Sequence, residues 1–345
     1  MTNRRKKGNG KRIAVICAAI FLIMVLVTFV SVYFVRFTNP TNTPADRISQ
    51  GIVPTEADLS RAKVYDRVVI FGVDGAGGMF DRCDTPNFDA IFANGSVNLQ
   101  GMAQYPTISA PTWGSMLLGV TAQSHNITND KAKLFTNNGK KYPSVFGIYA
   151  KAHPGSTFFS CVNWAAINKG IIENKIPGMT KVYGKDLTDG DSFAIDRAVA
   201  EKVVERLQTH DDKIVFMHFD SVDHAGHDFG NRSEEYKEAI ERTDECLGIV
   251  YNGYKAQNKT DGTLFICVTD HGHTIEGGHG EESVSEKTTT LAVAGNKGDI
   301  IQGSSGAYVT QDLASIILYA LGTPQPAHFE GGVPTNLFNT LHPAK

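Results

Sequence analysis

The stretch TLFICVTDHGHTIEGGHG, Thr263–Gly280, changes character partway along. Its first seven residues are apolar or β-branched almost throughout, the composition of a strand buried on both faces. The remainder carries Asp270, His271, His273 and His279 among glycines. In open α/β sheets, the chain leaving the carboxyl end of a buried strand faces the crevice where ligands bind. Fold and site are therefore read together here, and the rest of the chain can be searched for the same pattern.

The pattern recurs twice. RVVIFGV (Arg67–Val73) runs into Asp74 within FGVDGAGG, and KIVFMHF (Lys213–Phe219) runs into DSVDHAGHDFG, which holds Asp220, Asp223, His224, His227 and Asp228. STFFSCV (Ser156–Val162) and TTLAVAG (Thr289–Gly295) are further strand-like runs. Helical periodicity lies between them. Ser192–His210 sets Ile195, Val199, Val203 and Leu207 on one face. Ser233–Tyr254 opens with a capping Ser and two acidic residues, and Val309–Gly322 ends on a stop glycine. Strands alternating with helices predict an α/β fold, a three-layer helix–sheet–helix sandwich around a largely parallel central sheet.

The amino-terminal end differs from this body. Seven of the 33 basic residues and none of the 36 acidic ones fall within residues 1–36, which leaves 26 against 36 for the remainder, a net −10. An acidic body argues against a nucleic-acid-binding surface. Residues 13–35 are uncharged and apolar, long enough at about 1.5 Å per residue to span a hydrocarbon core of roughly 30 Å. The basic leader then predicts a single-pass plasma-membrane signal anchor with a cytoplasmic tail, residues 1–12, and an extracellular body. Residues 36–64, rich in Pro, Thr, Asn and Asp, read as a stalk, and residues 65–345 as the folded body. Five scattered cysteines without a CxxC pair exclude a zinc–cysteine site.

One Asp after a strand is usually a turn or capping residue, and one His is usually an ordinary polar residue. Three strand ends that each carry Asp or Asp/His are a different matter, and five of the eleven histidines fall in two of these short windows. Carboxylates gathered in one crevice repel each other and are costly to bury. A divalent cation relieves that cost, and mixed oxygen and nitrogen donors suit Zn²⁺ or a similar transition ion better than Ca²⁺.

Together FGVDGAGG, DTPNFDAIFANG, YPTISAPTWGSMLLGV, DHAGH and DHGHTIEGGHG resemble the alkaline-phosphatase superfamily, nearest its nucleotide pyrophosphatase/type I phosphodiesterase branch. The resemblance implies two divalent metal ions, Zn²⁺ by expectation. Asp223, His227 and His279 would hold one; Asp74, Asp270 and His271, with the oxygen of Ser109, would hold the other. Ser109 takes the nucleophile position and Thr112 the place of a phosphoryl-contacting Asn. His273 is read as outside the ligand set, supporting it or facing solvent. Trp113 stands where sulfatases carry Arg, which disfavours sulfate esters. Pro111 suits a first helical position, so a helix is expected just after Ser109, with the Thr112 N–H facing phosphoryl oxygens. Asn163 and Trp164 are candidate substrate contacts.

The implied activity is a membrane-anchored, extracytoplasmic, metal-dependent phosphodiesterase or phosphatase acting on a small phosphate-ester or phosphodiester substrate. The short spacing from His271 to His279 is more similar to phosphoethanolamine transferases and phosphomutases, so a phosphoethanolamine- or phosphoglycerol-type transferase is the alternative. A non-catalytic surface-binding module is a third reading, which the intact Asp/His set opposes.

Overall fold

Seven strands form one sheet: β1 (Arg67–Val73), β2 (Ser96–Met102), β3 (Phe158–Val162), β4 (Met179–Tyr183), β5 (Ile214–Phe219), β6 (Thr263–Thr269) and β7 (Thr288–Ala294), in spatial order β2-β7-β6-β1-β5-β3-β4. The computed structural model describes residues 16–25 and 49–341. The five strands β4, β3, β5, β1 and β6 run parallel, as predicted, whereas β7 lies antiparallel between β6 and β2. The central strand β1 is buried along its whole length.

Strand side chains alternate between two cores, as the two-residue period of a pleated strand requires. Val68, Ile70, Ile214, Phe216, Leu264 and Ile266 enter one core. Val69, Phe71, Val215, Met217, Phe265 and Cys267 enter the other. Helices α1 (Pro86–Phe92), α4 (Ser192–Leu207) and α6 (Glu234–Ala256) bury residues in the second core. Helices α2 (Ser109–Leu118), α3 (Val145–Ala152) and α7 (Leu313–Ala320) bury residues in the first. A helix of nine residues, α5 (Ser221–Phe229), follows β5 directly. This is the expected helix–sheet–helix sandwich.

Capping sets the long helices. Ser233 accepts the Tyr236 N–H at the start of α6, and Asp191 accepts the Ala194 N–H at the start of α4. The predicted Val309–Gly322 helix begins as a 3-10 turn, Thr310–Asp312, before α7. The four cysteines of the body are unpaired, and Cys161, Cys246 and Cys267 are buried.

The expected stalk differs at its carboxyl end. Ile52 pairs with Val333 through two backbone hydrogen bonds of 2.8 Å, and Thr55 caps a short helix, Glu56–Arg61, through a capping box. Residues 49–62 are therefore joined to the body by backbone pairing that composition does not reveal. The expected tail (1–12), residues 36–48 of the stalk and most of the expected span (13–35) lie outside the described residues. Residues 16–25 are helical, and among the described residues no helix is long and apolar enough to cross a membrane.

Candidate active site

Parallel strands deliver Asp74, Asp220 and Asp270 from the same end of the sheet, because β1 lies between β5 and β6 in register. Asp74, Asp270 and His271 form one cluster; Asp223, His227, His273 and His279 form a second. In the first, His271 Nε2 lies 3.4 Å from both Asp74 Oδ1 and Asp270 Oδ2. In the second, His273 Nε2 is 3.2 Å and His279 Nε2 3.7 Å from Asp223 Oδ1, and the Nε2 atoms of His227 and His279 are 3.0 Å apart. The Ser109 Oγ stands 3.4 Å from His271 Nε2.

The donor chemistry fits cations. Backbone carbonyls accept from Nδ1 of three imidazoles: Gly272 O from His271, Gly75 O from His273 and Thr107 O from His279. A carbonyl can only accept, so each Nδ1 carries a proton, which leaves Nε2 as the ring atom turned towards the carboxylates. Asp74 Oδ1, Asp223 Oδ1, Asp270 Oδ2 and His273 Nε2 are buried without a hydrogen-bond partner. Lone pairs facing lone pairs in a buried crevice are costly, and a divalent cation in such a cluster would satisfy them.

The electrostatics agree. Burial, and then the neighbouring His279, push the His271 imidazole down to about 3, and burial lowers His279, so both rings are neutral at physiological pH. Burial, reinforced by the Asp74 charge, drives the Asp270 carboxyl well above the usual range. Burial and Asp223 also push Asp74 upward, but the hydrogen bond and charge of His218 outweigh them and hold its carboxyl low.

Residues outside the predicted ligand set complete the site. Asp74 Oδ2 accepts two hydrogen bonds of 2.9 Å, from Trp113 Nε1 and from His218 Nε2. Trp113 is fully buried in α2 and reaches Asp74 because β1 carries Gly72, where a Cβ would sit 2.8 Å from the indole. His218 is the one polar side chain in β5. His273, expected outside the ligand set, is fully buried within the second cluster. From the loop after β6 its ring packs against α5, where Gly226 leaves room, since a Cβ there would meet the ring at 2.5 Å.

Helix α2 begins at Ser109 itself, with Ile108 as its cap and Pro111 inside the first turn. The Thr112 N–H therefore closes the first helical turn onto Ile108 O at 3.0 Å and does not face the site as expected. Thr112 is fully buried and its Oγ1 has no partner. Asn129 lies at the cavity instead, its Oδ1 accepting the Ala110 N–H at 2.9 Å. Thr107 is structural: its hydroxyl donates to Glu281 O and accepts the Gly280 N–H, tying down the loop that carries His279.

A cavity of about 660 Å³ opens beside Ser109 and is lined by Asn129, Asn163, Trp164, His224, His227 and His279, among others. Asn163 lines it with its amide committed, since Nδ2 donates to Ser192 and to Asp196 Oδ1. Trp164 is half-buried against the core and presents its remaining surface to the cavity.

Residues 68–280 match the family model for type I phosphodiesterase / nucleotide pyrophosphatase. The chain is 23% identical over 291 residues to GPI ethanolamine phosphate transferase 2 of Aspergillus fumigatus, covering 82% of this chain and 36% of that protein. It is 21% identical over 226 residues to ectonucleotide pyrophosphatase/phosphodiesterase family member 7 of Rattus norvegicus, covering 60% of this chain and 50% of that one. The chain thus spans half or less of these relatives. Among solved structures, murine ectonucleotide pyrophosphatase / phosphodiesterase 5 aligns with a TM-score of 0.60 at 15% identity, over 75% of this chain and 96% of that chain. The lipoteichoic acid synthase LtaP of Listeria monocytogenes aligns with a TM-score of 0.62 at 13% identity, over 84% and 80%.

Proposed function

The chain belongs to the type I phosphodiesterase / nucleotide pyrophosphatase family, and from that premise we propose that it is a metal-dependent phosphodiesterase whose nucleophile is Ser109. The observation that carries this reading is the Ser109 hydroxyl, 3.4 Å from His271 Nε2, beside carboxylate oxygens of Asp74 and Asp270 that have no hydrogen-bond partner. A serine hydroxyl is a poor nucleophile until it is activated. Asp74, Asp270 and His271 would hold one divalent cation and Asp223, His227, His273 and His279 another, Zn²⁺ by donor type. Bound there, such a pair would supply charge stabilisation to the attacking and leaving oxygens of an in-line displacement.

Ser109 Oγ attacks phosphorus, the ester bond to the leaving group breaks, and a covalent phosphoseryl ester forms. Water then attacks phosphorus and restores the Ser109 hydroxyl. The Asn129 amide, its oxygen fixed by Ala110 N–H, offers its NH₂ to a phosphoryl oxygen. Anchoring through residues 13–35, with the body extracytoplasmic, is part of the proposal and rests on the apolar run and its basic leader.

Release of p-nitrophenolate from bis-p-nitrophenyl phosphate by the purified chain, with and without a chelator, tests this. Turnover that survives chelation, or that is normal in Ser109→Ala, refutes it. The transferase reading is favoured by the fungal relative's name. It predicts that an added hydroxyl acceptor captures the phosphoryl group in preference to water.

A further inference from the structure

Three lysines line the cavity beside Ser109: Lys133, Lys169 and Lys185. They come from three separate short elements, the helix Asn129–Leu134, the turn Ile167–Ile171 and the turn Gly184–Asp186. All three are exposed. Among the described residues no ammonium group of the three forms an ion pair or a hydrogen bond; the single ring contact is Lys133 Nζ, 5.9 Å from the ring centre of Trp164. Lys181, from the same part of the chain, shows the contrast: its Nζ donates to Ile172 O at 2.8 Å and is used up in holding the fold.

The carboxylates of the cavity do not answer these charges. Asp220 pairs with His224 at 3.3 Å, and Asp223 stands within the histidine cluster. Unpaired cations gathered around one concavity repel one another and focus a positive potential into it. That arrangement gains free energy when an anion enters, and loses it when a cationic group does.

We propose that Lys133, Lys169 and Lys185 select substrates in which the group retained on phosphorus carries a second negative charge, of phosphate type, seated beside Trp164. This inference rests on the phosphodiesterase reading of Ser109 and names the substrate class for that site. It runs against an ethanolamine or choline ester, whose ammonium group would meet three like charges.

The test uses two p-nitrophenyl esters that differ by one phosphate: thymidine 5′-(p-nitrophenyl phosphate) and its 3′-phosphorylated counterpart. The purified chain is expected to prefer the 3′-phosphorylated ester in kcat/KM by about tenfold at low salt, with the preference fading towards unity at about 0.5 M salt. In the variant Lys133→Gln/Lys169→Gln/Lys185→Gln the ratio should fall close to one. A ratio unchanged in the variant, or p-nitrophenyl phosphorylcholine cleaved as well as the 3′-phosphorylated ester, overturns the proposal. Failure of the wild-type chain to cleave any ester would count against the role of Ser109 instead. Equilibrium dialysis of thymidine 3′,5′-bisphosphate then decides the lysines on their own: about tenfold weaker binding to the variant supports them, and equal binding refutes them.

Discussion

Asp74 offers the sharpest test of how the site is built. Its Oδ2 accepts from Trp113 Nε1 and His218 Nε2, both at 2.9 Å, while Oδ1 faces His271 at 3.4 Å without a hydrogen-bond partner. The two donors fix the carboxylate plane so that Oδ1 points into the cluster. Trp113→Phe keeps a ring in the slot beside Gly72 but removes one donor from a buried charge, a loss of about 1.5–3 kcal/mol. His218→Phe removes the other donor. Groups that orient a metal ligand in this way typically change metal affinity by about 10–100-fold, equivalent to about 1.4–2.7 kcal/mol.

The assay is competition for Zn²⁺ against a chromophoric chelator, with two affinities resolved on the purified chain. Each variant should weaken one affinity by that factor and leave the other, from Asp223, His227, His273 and His279, within about threefold. The double variant should be non-additive, because both donors act on one oxygen. Thermal melting separates this effect from lost packing: Trp113 meets Phe216 and His218 edge-on at 5.7 and 5.2 Å, and these contacts change whether or not metal is present. A folded Trp113→Phe or His218→Phe chain with both affinities unchanged would refute the placing of Asp74 in a metal cluster.

Three further outcomes follow from the same geometry. His273→Ala should weaken the second site by at least about tenfold and alter the absorption spectrum of bound Co²⁺; an unchanged spectrum places His273 outside the ligand set. Gly226→Ala drives a Cβ to 2.5 Å from the His273 ring and should cost about 1–3 kcal/mol of stability in chemical denaturation, so a neutral effect would show that the ring moves freely. Burial raises the Asp312 carboxyl to about 6, despite hydrogen bonds from Ser49 and the N–H groups of Gly332 and Val309. Its folded-state value is above its unfolded one, so the charged form penalises folding above pH 6 and the penalty is relieved as pH falls from 6 towards 4, by up to about 3 kcal/mol. Asp312→Asn should flatten this part of the stability profile between pH 6 and pH 4, and an unchanged slope refutes it.

The sequence showed the centre of the sheet and missed its edges, for one physical reason. Strands β1, β5 and β6 are covered on both faces, so burial writes a continuous apolar run into them. The edge strands β2 (SVNLQGM) and β4 (MTKVY) are only partly covered, and their mixed composition looks like loop. Direction left no trace at all: β7 is buried over its five central residues, like a strand of the parallel set, yet runs antiparallel, because burial selects residue type and not strand polarity.

The site divides along similar lines. Asp74, Asp223, His227, Asp270, His271 and His279 were visible because they cluster in sequence just past strand ends. Ser109 was legible only through the family resemblance. Asn129 was hidden because it joins the Ser109 end of α2 through tertiary structure, by one hydrogen bond to Ala110. Thr112 was misplaced because Pro111 was assigned to the first helical position, whereas a proline is tolerated anywhere in the first turn, where its missing N–H has no helical partner. His218 is the instructive omission. It follows Ile214 and Phe216 at the two-residue spacing of one core-facing side of β5, so a polar ring there had to be buried, and a buried imidazole needs a partner. The partner had to lie at the same depth on an adjacent strand. In this sheet β1 adjoins β5, and the residue that follows the end of β1 is Asp74. A polar interruption in an otherwise apolar strand thus points to the charged group beside it, and here that group lies at the centre of the proposed chemistry.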